Sequence, residues 1–68
     1  MRDWLIDARG NITQKDIAQQ CSISQNYYSW IEIGERTPSV ETAKKIAKVL
    51  GFDWTRFYED TNKNREAV

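Results

Sequence analysis

Histidine is absent from this 68-residue chain, cysteine and proline occur once each, and ten Lys and Arg balance ten Asp and Glu to a net charge of zero. Each shortage excludes something. Without histidine, and with a single thiol, the chain cannot supply the His/Cys sets that hold zinc, so no metal and no cofactor are expected. The same lack removes the commonest general base, and no carboxylate pair is placed to act as acid and base. A chain this short also has little room for a pocket, so neither an enzyme nor a small-molecule substrate is expected. One cysteine closes no internal disulfide. Cys21 lies on an apolar stripe and reads as a small buried hydrophobe, compatible with a reducing cytoplasm, the expected location. No apolar run reaches 18 residues, so no membrane span is read. Residues 1–9 lack a long apolar run and hold Asp3 and Asp7, so no signal peptide is read there.

Apolar residues at helical spacing fill most of the chain, and no segment alternates as a strand would. The expected fold is all-α, a compact five-helix bundle in one domain over 1–59, with a polar, frayed tail over 60–68. A chain of this length buries only about 60% of its unfolded surface, so the core is small. The first helix runs from about Arg2 to Arg9 and ends at Gly10-Asn11, since both residues tolerate the left-handed conformation of a helix end. Thr13 caps the second helix, with Asp16 three residues on. Ser24 caps the third, with Ile23 and Tyr28 at staple spacing, and Gly34 ends it. Pro38-Ser39 introduces the fourth, whose inward stripe is Val40, Ala43, Ile46, Ala47 and Leu50, with Gly51 as its stop. Asp53 caps a short fifth helix in which Trp54, Phe57 and Tyr58 share a face, with Phe52 and Phe57 at staple spacing.

Residues 13–34 are the most informative stretch. Two short helices joined by a tight turn have the layout that places one helix in the DNA major groove. Ala18 is small where the two helices cross. Ile17, Cys21, Ile23, Tyr28 and Ile31 take the inward positions. Ser22 occupies the turn, where a residue must accept positive φ and glycine would do so more easily. Helical geometry then points Ser24, Gln25, Asn26, Ser29 and Trp30 outward, with Tyr27 at the edge. Glutamine and asparagine pair bidentately with adenine N6/N7, and serine bonds either base type. Trp30 and Tyr27 suit sugar or a thymine methyl. Gln14 and Arg36-Thr37 lie where a phosphate would pass.

Residues 2–58, over four fifths of the chain, resemble the Cro/lambda-repressor-like (XRE-type) helix-turn-helix domain of phage repressors and bacterial transcription regulators. The likeness rests on Arg9-Gly10-x-x-Thr13-Gln14-x-x-Ile17-Ala18. It continues in Ile23-Ser24-Gln25-x-Tyr27-Tyr28-Ser29-x-Ile31-Glu32-x-Gly34-x-Arg36-x-Pro38-Ser39 and in Ala43-x-x-Ile46-Ala47-x-x-Leu50-Gly51. It implies a sequence-specific regulator, a repressor of phage or prophage type. Such a protein binds double-stranded DNA at a palindromic operator as a homodimer. Carried over, the third helix (about 25–33) is the recognition helix. Gln25, Asn26, Ser29 and Trp30 face the bases, and Gln14, Ser24, Tyr27, Arg36 and Thr37 face the backbone. It also implies that an arginine of the first helix pairs with Glu32, with Arg9 the candidate. The chain departs from the family at Ser22, which replaces the usual turn glycine, and at bulky Trp30.

Blander readings stand beside these. Lys44, Lys45 and Lys48 read as a solvated helix face, with a second DNA site as the alternative. Trp54, Phe57 and Tyr58 read as core, or as a dimer patch where exposed. The zero net charge favours a second function on the same fold: a protein-interaction module or antitoxin-like regulator. A stacking platform for single strands would want a basic groove, which the uncharged residues 17–31 lack.

Overall fold

In a computed structural model the described residues are 1–59; the expected tail over 60–68 lies outside them. The helices are α1 (Asp3–Arg9), α2 (Gln14–Gln20), α3 (Gln25–Ile33) and α4 (Val40–Leu50), followed by a helical turn at 56–59, here α5. Among the described residues there is no strand.

Side-chain caps start three of the helices. The hydroxyl oxygens of Thr13, Ser24 and Ser39 accept from the backbone N–H groups of Asp16, Tyr27 and Thr42, satisfying donors that the first turn of a helix leaves without a partner. Asp53 starts α5 differently. Its Oδ1 accepts from the backbone N–H of Thr55 at 3.0 Å and from its hydroxyl at 2.8 Å. These two donors hold the Asp53 carboxyl below its ordinary value. The contribution is therefore present at neutral pH and is lost as pH falls through that lowered value.

The turn between α2 and α3 explains the serine. Ile23 N–H donates to Ala18 O and Ser22 N–H to Gln19 O, at 3.0 and 3.1 Å. This is the Schellman arrangement, which needs a left-handed residue just past the helix end. Ser22 supplies it at φ +58°, alone among the described non-glycine residues. A non-glycine residue there is strained by roughly 1–2 kcal/mol, partly offset by the greater entropy that glycine loses on folding. Ser22 is exposed. Ser22→Gly is therefore expected to stabilise the fold by about 0.5–1 kcal/mol, read as a higher urea midpoint at unchanged m-value.

Leu5, Ile17, Ala18, Cys21, Tyr28, Ile31, Ala43, Ile46 and Phe57 form one buried cluster, with Ile23 partly buried against it. One position of the α4 stripe departs from expectation: Val40 is 47% exposed. As the first residue of α4 its Cβ tilts back past the helix end, and neighbouring Pro38 is the residue buried there. Asn11 likewise keeps a negative φ; Gly10 alone takes the positive value at the end of α1. The fifth element is held by its rings. Phe57 is buried and meets Trp4 and Phe52 edge-on, at centroid separations of 5.2 and 5.5 Å. The Tyr58 hydroxyl donates to Pro38 O at 2.7 Å.

Candidate nucleic-acid interface

The helix α3 has two faces. Tyr28, Ile31 and Glu32 are buried. On the other side Gln25, Asn26 and Trp30 are exposed and Ser29 is half-exposed. These four share one side of the helix with exposed Ile33, and the other side is core.

Two arginines, one from each end of α1, grip the buried side of α3. Arg2, itself buried, donates through Nη1 to Ile31 O and, at 3.0 Å, to Arg36 O. Its backbone N–H reaches Glu32 O at 2.7 Å. At the other end, Arg9 Nε donates to Glu32 Oε2 at 2.6 Å, with Nη2 3.4 Å from Oε1. Arg9 Nη1 also donates to Ile12 O at 2.9 Å. Gln14 Nε2 donates to Glu32 Oε1 at 2.9 Å. One carboxylate of α3 therefore ties α1 and α2 together, and its side chain is only 3% exposed. The hydrogen bond to Glu32 raises the Arg9 guanidinium above its already high value, against the cost of burial. Burial, with the Glu32 carboxylate adding to it, pushes the Tyr28 phenol well above its ordinary range. Burial likewise raises the Cys21 thiol, keeping it neutral and inert.

The remaining site residues flank α3. Ser24 is exposed, its oxygen engaged as the helix cap. Tyr27 is half-buried at the edge of the core. Arg36 and Thr37 are exposed on the segment beyond Gly34. The Gln14 amide is directed onto Glu32, an engagement that spacing did not reveal. Lys15 is exposed on the first turn of α2, but exposed Asp16 and Glu35 lie beside Lys15 and Arg36 in sequence, so this surface is only weakly basic. Two of the three α4 lysines are occupied locally: Lys45 is 3.7 Å from Glu41 one turn away, and Lys44 lies over the Trp54 ring at 5.2 Å. Among the described residues no group of three His, Cys, Asp or Glu side chains is placed to hold a metal ion, and no helix is long and apolar enough to cross a membrane.

Sequence reasoning missed Arg2. A lone arginine before the first helix gives no periodic signal, and its partners are backbone carbonyls some thirty residues away. The Arg9–Glu32 pair was accessible through the family likeness alone.

A two-helix unit over 14–33, braced by α1 and presenting an uncharged polar face, defines a helix-turn-helix protein. The helix-turn-helix family pattern matches residues 4–57, and the chain belongs to that family of transcription regulators, in its XRE type. It is similar to an uncharacterized HTH-type transcriptional regulator, YqaF, of Bacillus subtilis (strain 168), being 48% identical over 62 residues, 88% of this chain and 82% of that protein. It is also similar to the control protein C.BamHI of Bacillus amyloliquefaciens, 36% identical over 44 residues, 65% of this chain and 54% of that protein. No solved structure matches it.

Proposed function

We propose that this chain is a sequence-specific DNA-binding regulator, most simply a repressor of phage or prophage type, that lays α3 in the major groove. It acts in the cytoplasm as a homodimer on a palindromic operator. Gln25, Asn26, Ser29 and Trp30 face base edges, where amide and hydroxyl groups discriminate through donor and acceptor patterns. Gln14, Ser24, Tyr27 and Thr37 border the phosphates, with Arg36 beside them. Gln14 has one N–H on Glu32 and a second for a phosphate oxygen. The observation that carries this reading is the division of α3: a face locked into the core by Arg2 and Arg9, and an outward face of uncharged polar readers. A regulator and a control protein among the relatives fit it.

Zero net charge favours a second reading, an interaction module or antitoxin-like regulator whose partner is a protein. Fluorescence anisotropy against an operator duplex across a salt series separates the two. DNA readout predicts a log–log decrease of affinity with salt, because each phosphate contact releases counterions. In the same titration Gln25→Ala costs about 1–3 kcal/mol and relaxes preference at one base pair per half-site. Equal, weak affinity for every sequence contradicts DNA readout, and a flat salt response supports the second reading.

A further inference from the structure

Trp30 is a large ring, 43% exposed, beside the polar Gln25, Asn26 and Ser29 and on the same outward face as Ile33, itself 40% exposed. It does not stand alone. The guanidinium of Arg36 lies over its ring, 5.3 Å from the centroid. The backbone under that stack is fixed from both sides. The N–H groups of Glu35 and Arg36 donate to Trp30 O at 2.9 and 3.2 Å. The Arg36 carbonyl accepts from buried Arg2 at 3.0 Å. Gly34, left-handed at φ +89°, makes the reversal that brings Arg36 back over the ring.

We propose that Arg36 is a positioning residue acting through Trp30, and that the indole so held reads the C5-methyl of a thymine in each half-site. The inference rests on the DNA-readout function above. A guanidinium over one ring face leaves the rest of the indole to meet the groove. The major groove floor offers one apolar group to such a surface, the thymine methyl. Trp30 lies one helical turn beyond Asn26, so the methyl belongs within about two base pairs of the pair that Asn26 reads.

The test uses the full chain and duplexes carrying its selected operator, with each thymine replaced singly by deoxyuridine. The wild-type protein is expected to lose about fourfold in affinity at one position per half-site, the effect of one buried methyl. Trp30→Ala and Arg36→Ala are both expected to bind the thymine and deoxyuridine duplexes within twofold of each other. Trp30→Phe keeps part of the preference. The Arg36 side chain is exposed, so melting of Arg36→Ala by circular dichroism should be unchanged, and Arg36→Gln repeats the test should Arg36→Ala fail to fold. Two results overturn the inference while leaving DNA readout intact: no methyl-sensitive position, or sensitivity that survives in either alanine variant. Wild-type protein that prefers no duplex overturns both.

Discussion

Glu32→Ala is expected to remove a large share of this protein's stability, about 3–5 kcal/mol. The substitution removes the acceptor of Arg9 and Gln14 at once. It strands a guanidinium whose side chain is only 19% exposed beside a carboxylate site that is 3% exposed. Removing one partner of a largely buried pair costs about 3–5 kcal/mol, because the other charge stays desolvated. At roughly 0.05–0.15 kcal/mol per residue, the whole fold holds about 3–10 kcal/mol. Urea unfolding followed by circular dichroism measures the loss. Glu32→Gln keeps the shape and one acceptor oxygen but sets an amide N–H against the donors of Arg9 or Gln14, and is expected to lose less than the alanine variant, about 2–3 kcal/mol. The Glu32→Ala deficit should change little with added salt, since a shielded pair is weakly screened. A Glu32→Ala protein as stable as the wild type would show that the carboxylate is no brace and that α3 is held by its apolar contacts alone.

Phe57→Ala is expected to cost about 3–5 kcal/mol, the loss for emptying a fully buried phenylalanine site. Its ring closes a set with Trp4 and Phe52, and the Arg2 guanidinium lies 5.7 Å from its centroid. Arg2 also holds the end of α3, so the cavity opens under the clamp that positions this helix. Expressed as a melting temperature, each kcal/mol moves a domain of this size by roughly 4–8 °C. A fall of more than about 10 °C is therefore expected by calorimetry. A smaller fall would mean that α5 is an accessory element and that the core closes over α1 to α4 without it.

Much of this arrangement was legible because caps and stops are local chemistry. Thr13, Ser24 and Ser39 each accept from the N–H three residues on, and Gly34 and Gly51 take left-handed conformations at the ends of α3 and α4. The inward positions of α2 and α3 followed from 3.6-residue periodicity, and the outward polar face of α3 was what remained. Val40 shows where periodicity stops: the pattern says which side of a helix a residue occupies, but not whether any core lies beside its first turn. Ser22 was readable as the turn residue from its place between two helices, though no pattern alone assigns positive φ to a serine. The buried clamp of Arg2, the amide of Gln14 on Glu32 and the stack of Arg36 on Trp30 were not readable. Each joins residues across a turn or between helices, where spacing carries no signal.

We propose above that the outward face of α3 reads base sequence in duplex DNA. The most direct test is selection of binding sites by the full chain from a pool of random duplexes. Enrichment of one palindromic site is expected, its half-sites about one helical turn apart. Gln25→Ala is expected to select a site degenerate at one pair per half. Recovery of sequences no different from the starting pool would contradict it.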